Sequence, residues 1–407
     1  MTCSAETRPR VLVLTPFYLP GSKGGGTITS VANLVRALGG EFEFSILTAD
    51  RDWTDTSPYP GISTGEWLPC PGGRVRYLGP GERTLNSIRT LVRAQDPALL
   101  YLNSYFNTSF TIKPLLLRRF GGLCRLPVLL APRGQIMAGA LRLKRGKKLA
   151  YKAFSVLLGL YRDIVWHSTS DEESAEIRLQ WGTRSRICLA ANVPSQVRSQ
   201  NGDVRTRKKP MGALKAIFLS RVSRKKNLEF ALDCLARVRG NVELGIYGPL
   251  EDAPYWAECQ KFIETLPHNI SVTYHGELEH RQVADVMATY DLFFLPTLSE
   301  NFGHVFVEAW CAGLPVLISD QTPWRELQAK GAGWDIPLDQ RARFTAVLQE
   351  CVDAEPERYE DQSRNATAFG LSVLSNSKAV EQTRNMLKSA MQSNGIPLVP
   401  SHEEAQA

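Results

Sequence analysis

The chain has 407 residues, 43% apolar and 22% charged, with a net charge of +7 and a pI near 9.0. That length accommodates two or three domains, two being the commonest division, and the composition is that of a globular enzyme. No window approaches about 18 uninterrupted apolar residues, so the sequence offers no membrane-spanning helix, and the basic excess permits phosphates, nucleic acid or an anionic membrane as partners without selecting one.

The opening decapeptide MTCSAETRPR has no apolar core of the secretory kind. Arg10 to Thr15 (RVLVLT) reads as a strand, followed by a loop ending in Gly24, Gly25 and Gly26. Apolar residues then recur at helical spacing from Thr27 to Leu38. Glu43 to Thr48 is a second strand, residues 51 to 72 a long surface loop rich in Pro, Gly, Ser and Trp, and Arg74 to Leu78 a weaker strand. Ala98 to Ser104, Pro127 to Arg133, Asp163 to Ser170 and Arg186 to Ala190 read as strands. Helices are expected over Thr108 to Phe120, Lys144 to Tyr161 and Asp171 to Trp181.

Asn192 to Ala213 is polar, basic and without apolar period, the composition of an interdomain linker. The alternation then restarts. Leu214 to Arg221, Val242 to Gly248 and Ile270 to Gly276 are expected as strands, and Asn227 to Arg239, Pro254 to Leu266 and His280 to Tyr290 as helices. Tyr290 to Thr297 is a further strand, followed by a turn, a helix from Phe302 or Gly303 to Gly313, and a strand over Leu314 to Ser319. A weak strand, an amphipathic stretch and a long final helix over Leu371 to Gln392 complete the chain. Strand–helix alternation through both halves predicts an α/β protein of two Rossmann-like, doubly wound parallel-sheet domains whose crevices face an interdomain cleft. The expected divisions are 1–195, a linker at 196–213, 214–370, a helix at 371–392 crossing back to the first domain, and a frayed tail at 393–407.

The most informative stretch is Ser299 to Pro315 (SENFGHVFVEAWCAGLP). Between Asn301 and Ser319 the sole formal charge is Glu308, inside an apolar helix of the kind proteins bury. A buried carboxylate needs a partner, and the local sequence supplies none, so either a distant residue or a ligand must. In a βαβ unit the turn after the strand sits at the ligand crevice, and the helix start offers N–H groups to an anion. Arg221 and Lys226, at the end of a strand before a helix, suit a diphosphate; a solvated basic turn is the competing reading, and the one taken for Arg224 and Lys225.

Gly24 to Gly26 lets backbone approach a phosphate, and Asp50 lies where a dinucleotide-binding domain places its ribose-binding acid, which leaves a nucleotide-dependent oxidoreductase open. Arg133, in APRG, ends a strand and can serve a phosphate or the fold alone. His167 sits inside a strand and reads more readily as a core histidine. Arg142 to Arg162, basic first and apolar-aromatic later, suits either an anionic membrane surface or a core helix with a solvated basic end. Nothing signals nucleic-acid binding, and no D-x-D pair reads as a metal-bound diphosphate site. The eight cysteines, scattered and without a C-x-x-C pair, fit reduced thiols in a cytosolic protein.

In combination, Glu300 and Glu308 with seven residues between, the following AWCAGLPVL, the Arg221–Lys226 pair and Gly25–Gly26 before the first helix resemble the retaining GT-B glycosyltransferases of family 4, or group 1. That family includes sucrose synthases and bacterial mannosyl- and glucosyltransferases. The resemblance implies that Glu308 holds the ribose of a nucleotide-sugar donor and that Glu300 lies beside the hexose. It implies that the amides of Phe302, Gly303 and His304 meet sugar hydroxyls or phosphate. Arg221 and Lys226 would neutralise the leaving diphosphate, with Gly25 and Gly26 approaching it; base choice is expected at Gly248 to Pro249 and Gly276 to His280, with Gly248 a donor-binding candidate. It further implies retention by front-face attack, with no metal or other cofactor. Many members carry a histidine after the strand that here reads ALLYLNS; this chain has Asn103 and Ser104, and Asn cannot act as a base. Asn103, Arg133 and His167 are therefore the acceptor-side candidates. APRG and WHSTS resemble a subgroup of polysaccharide and lipopolysaccharide assembly enzymes, which implies a glycan or lipid-linked acceptor met in the cytoplasm at the inner membrane face. A same-fold epimerase or phosphorylase is the nearest alternative.

Overall fold

In the computed structural model, residues 8–53, 55–123, 126–137, 145–195, 209–279 and 282–392 are described, with only the backbone at 145–148. The chain divides into two units, 1–193 with 378–407, and 194–377.

The first unit is built outward from β1 (Arg10–Leu14), whose Val-Leu run is buried from Val11 onward, as a strand covered on both faces requires. Helix α1 (Gly26–Leu38) leads to β2 (Glu43–Ala49), then to β3 (Trp67–Cys70), β4 (Gly73–Leu78), α2 (Leu85–Gln95) and β5 (Leu99–Leu102). Next come α3 (Lys113–Phe120), β6 (Val128–Leu130), α4 (Arg145–Leu157), β7 (Val165–Ser168), α5 (Asp171–Trp181) and β8 (Arg186–Leu189). The sheet order is β3-β4-β2-β1-β5-β6-β7-β8, parallel except for the β3–β4 pair. The loop expected over 51 to 72 thus contains an edge strand, too short and too poor in alternation to stand out from its Pro and Gly neighbours.

The second unit runs β9 (Ala213–Leu219), α6 (Leu228–Leu235), β10 (Asn241–Tyr247), α7 (Ala253–Ile263), β11 (Ile270–Tyr274), α8 (Val283–Met287), β12 (Leu292–Leu295), α9 (His304–Cys311), β13 (Val316–Ser319) and β14 (Gly333–Ile336). It closes with α10 (Arg341–Asp353) and α11 (Pro356–Ser375). Its sheet is parallel throughout, in the order β11-β10-β9-β12-β13-β14. This is the doubly wound order whose direction reverses between β9 and β12, and ligands of such sheets bind at that reversal, off the carboxyl ends of the strands. In the first sheet the same reversal falls between β1 and β5.

Helix α9 is held from behind by α11. At Gly370 a side chain would come within 2.8 Å of Trp310 Cβ, and Ser363 Oγ donates to Gly313 O at 2.7 Å. The single helix expected over Leu371 to Gln392 is two: α11 ends where Asn376 turns extended, and α12 (Lys378–Gln392) follows. Helix α12 belongs to the first unit, packing on α1 and on β5, β6 and β8. Of the segment expected as a linker, 196–208 lies outside the described residues. Lys209 is already part of the second unit, its ammonium donating to the carbonyls of Val352 (3.1 Å) and Ala354 (3.2 Å). The tail at 393–407 also lies outside the described residues.

Candidate active site

At the reversal of the second sheet, the chain leaving β9 brings Arg221 and Lys226, and the chain leaving β12 brings Glu300. Lys226 Nζ donates to Glu300 Oε2 at 2.5 Å, with the two side chains only 10% and 17% exposed. Burial by itself would raise the Glu300 carboxyl. The charges of Lys226 and Lys225, the Lys226 hydrogen bond and the Asn301 N–H (3.1 Å) outweigh it and bring it to about 2. Glu300 is therefore ionised throughout the working pH range. Lys225, expected as a solvated turn residue, is half-buried and acts on Glu300; burial lowers its own ammonium. Arg224 is a surface residue, paired with Glu258 at 2.6 Å. Arg221 is paired with Glu251 at 2.9 Å, a partner that no local pattern announces.

Past Glu300 the chain enters α9 through Gly303, whose φ of 75° is the left-handed conformation glycine allows. A Cβ there would fall 2.3 Å from the Phe306 ring and 3.2 Å from Glu300 Cγ. The N-terminal turn of α9 is thereby folded directly against Glu300. Phe302 packs between His304 and Trp324 in tilted arrangements, at ring separations of 4.7 and 5.2 Å, and its carbonyl accepts from Trp324 Nε1. Gly248, at the end of β10, has φ 124° and passes so close to Ser220 that a Cβ would lie 2.2 Å from its carbonyl oxygen.

Glu308 is the fifth residue of α9. Among the described residues its carboxylate has no hydrogen-bond or ion-pair partner. Part of the residue remains at the surface, yet desolvation raises the carboxyl to about 7. Of the two alternatives for its partner, a distant residue is not found among the described residues.

In the first unit, Gly25 precedes α1 with φ 54° and Gly26 begins the helix. Their loop is laced to the segment after β2. Asp52 Oδ2 accepts from the N–H groups of Ser22 and Lys23, both at 3.1 Å, and Asp52 Oδ1 accepts from Tyr59 Oη at 3.0 Å. Asp50 is bound by Arg51 (2.9 Å) and Arg83 (2.7 Å). Asp50 and Asp52, a D-x-D pair by spacing, are thus both engaged inside the protein, and Asp50 is a structural ion-pair residue here rather than a ribose acid.

Asn103, Arg133 and His167 come together at the carboxyl ends of β5, β6 and β7. Arg133 donates to Asn103 Oδ1 from Nε (3.1 Å) and Nη2 (2.7 Å), to Tyr101 Oη (3.0 Å) and to Asn192 Oδ1 (2.5 Å). Tyr101 Oη lies 2.7 Å from His167 Nδ1, and His167 Nε2 lies 2.9 Å from the Ala190 carbonyl. A tyrosine donating to Nδ1 and Nε2–H donating to the carbonyl satisfies every contact. Burial and the nearby Arg133 charge lower the imidazole to about 3. His167 is therefore a neutral core histidine that holds Tyr101. Tyr101 lies two residues before Asn103 on one strand face, a relation that period two would have revealed; Asn192 is remote in sequence and gave no signal.

Residues 201–369 match the family described as glycosyl transferases group 1. No curated protein matches the chain in sequence. Solved structures share its fold. HepE from Anabaena, in complex with UDP-glucose, is 16% identical with a TM-score of 0.66, covering 93% of this chain and 99% of that one. Sucrose-phosphate synthase from Thermosynechococcus elongatus is 16% identical with a TM-score of 0.65, over 94% and 99%. WaaG, a glycosyltransferase involved in lipopolysaccharide biosynthesis, is 15% identical with a TM-score of 0.63, over 92% and 99%. The group 1 match thus covers most of the second unit, and the two-sheet GT-B fold is shared along the chain.

Proposed function

We propose that the chain transfers a hexosyl group, with retention and without a metal, from a nucleotide-diphosphate sugar to a glycan or lipid-linked acceptor in cell-surface polysaccharide synthesis. The observation that carries this is Glu308, a desolvated carboxylate without a protein partner among the described residues, placed past a glycine-capped helix start beside the Glu300–Lys226 pair. A ribose offers two hydroxyl donors to such a carboxylate. HepE, a structural neighbour, was solved with UDP-glucose, which supports a donor of this chemistry.

As the anomeric carbon–oxygen bond breaks, negative charge builds on the leaving diphosphate. Arg221 and Lys226, with the N-terminal turn of α9, supply the opposing charge. Gly25 and Gly26 present the start of α1 to a phosphate in the same manner. Glu300 holds Lys226 in place and faces the hexose; Phe302, Gly303, His304 and Gly248 shape the donor pocket. The acceptor hydroxyl attacks on the face the diphosphate leaves, and a diphosphate oxygen takes its proton, so no protein nucleophile is needed. Among the described residues no helix is long and apolar enough to cross a membrane. Helix α4 exposes Leu149, Phe154, Val156 and Leu157, which supports peripheral contact of the basic-aromatic segment with the inner membrane face.

A donor screen tests the assignment. UDP-, GDP- and ADP-sugars are compared for the rise in melting temperature they give, in the wild type and in Glu308→Gln. One donor class is expected to stabilise the wild type and to lose most of that effect in the variant. If none stabilises it, the reading fails. Flotation with anionic vesicles, with Leu157→Asp as comparison, tests the membrane contact.

A further inference from the structure

The Arg133 corner carries a buried charge that makes no ion pair among the described residues. The residue is 9% exposed, and every acceptor that binds its guanidinium is neutral: Asn103, Asn192 and Tyr101. Four of its five N–H groups are placed in this way, and the fifth, on Nη1, meets no acceptor among the described residues. Glu173, the carboxylate of this corner, makes no direct contact with the guanidinium; its oxygens accept from the N–H of Gly134 (2.7 Å) and from Thr169 N and Oγ1 (both 2.9 Å), and it balances Arg133 only at a distance. His167, on the other side of Tyr101, is neutral. Buried charges are normally paired, because taking one out of water alone is costly.

Two further features point to a ligand. Asn103 is fully buried and spends its carbonyl on Arg133, which leaves its Nδ2 donor without an acceptor among the described residues. Such orphaned donors are rare. The backbone at Arg133 is also held at φ 55°, followed by Gly134 at φ 72°, and this strained turn is fixed by the Glu173 contact to Gly134. All of it lies off the carboxyl ends of β5 and β6, beside the reversal of the first sheet, where doubly wound sheets take ligands.

We infer that Arg133 and Asn103 form an oxyanion subsite in the first unit, which receives a phosphate or carboxylate group of the acceptor. That the oxyanion belongs to an acceptor rests on the transferase reading; that the subsite binds one does not. The Nη1–H of Arg133 and the Nδ2 of Asn103 are the donors, and the Arg133 charge is the counter-ion.

His167, two hydrogen bonds from Arg133 through Tyr101, is a local reporter. In protein labelled with ¹⁵N-histidine, its signal, identified with His167→Gln, is followed as inorganic phosphate or acetate replaces chloride at constant ionic strength. Phosphate, acetate or both are expected to move it, and whichever acts names the class. Asn103→Asp installs a carboxylate beside Arg133 and is expected to weaken that response about tenfold or more. Arg133→Lys, which keeps the charge but not the fork, gives a second measure and is expected to weaken it as well. A His167 signal unmoved by either anion overturns the subsite, as does an Asn103→Asp protein that responds like wild type. Neither measurement needs a donor sugar, so failure of the transferase reading appears separately, in the donor screen.

Discussion

Lys226 Nζ and Glu300 Oε2, 2.5 Å apart, tie the ends of β9 and β12 together at the reversal of the second sheet. Each is the other's main compensation for burial, so the pair is both scaffold and candidate machinery. Lys226→Met leaves a buried carboxylate with only Lys225 and the Asn301 N–H to favour its charge. Breaking one side of such a pair costs about 3–5 kcal/mol, and transfer is expected to fall by at least about a hundredfold. Because the Glu300 carboxyl is depressed, its stabilisation is present above the ordinary carboxylate pKa and is lost as pH falls toward about 2. Urea unfolding from pH 7 to pH 2 is expected to show a shallower acid decline in Lys226→Met than in wild type. Parallel declines would show that Lys226 does not hold Glu300 ionised.

Glu308 has the opposite sign. Its carboxyl is raised to about 7 by desolvation, so between pH 4.5 and 7 the folded state holds a proton that the unfolded state has released. Stability falls as pH rises through that window. Glu308→Gln removes the cost, and at pH 8 the free protein is expected to gain roughly 1–3 kcal/mol, with little gain at pH 4. Donor binding is expected to be lost in the same protein. Calorimetric unfolding at the two pH values checks the first expectation, and donor-induced stabilisation the second. A variant less stable at pH 8 would mean that Glu308 has a partner within the protein.

The contrast between these two glutamates shows what the sequence could reveal. Glu308 was legible because it is the one charge in an apolar helix, and the structure adds no protein partner among the described residues. Arg221, Lys226 and Glu300 were legible as residues at strand ends, but not as pairs: Glu251 and the Lys226–Glu300 contact join segments brought together only by sheet order. Both sheets were foreseen because buried parallel strands are continuous apolar runs. Strand β3 was not, being a short edge, and the break between α11 and α12 was not, because nothing but Asn376 and Ser377 marks it. Helix α11 was overlooked because its buried residues are few and small: Ser363, Ala366 and Gly370 beside Tyr359.

Asp52 is a positioning residue for the glycine loop. Its two oxygens hold the Ser22 and Lys23 amides and the Tyr59 hydroxyl, and Lys23 Nζ adds an ion pair to Asp55 at 2.5 Å. Asp52→Ala leaves those amides without their acceptor and frees the loop ahead of Gly25. Donor KM is expected to rise about tenfold or more, with a stability loss of about 1–3 kcal/mol. Lys23→Ala, which keeps both amide contacts, is expected to have a much smaller effect. Equal effects would place the action in charge rather than in loop geometry.

Gly303 carries two constraints, and they can be separated. Its φ of 75° disfavours any side chain, and a Cβ would sit 2.3 Å from Phe306. Gly303→Ala incurs both, so a loss of about 2–5 kcal/mol is expected, together with loss of donor-induced stabilisation as the turn moves off Glu300. Asn tolerates the left-handed conformation better than Ala, but its Cβ meets the same ring. In the wild-type background Gly303→Asn is therefore expected to be nearly as damaging as Gly303→Ala. In a Phe306→Ala background the clash with that ring is gone, the 3.2 Å approach to Glu300 Cγ is common to both, and the two are expected to part, Asn being the more stable by about 1 kcal/mol. Melting temperatures of the four proteins decide it: if Asn and Ala remain equal once Phe306 is removed, backbone strain at Gly303 is not what fixes the entry into α9.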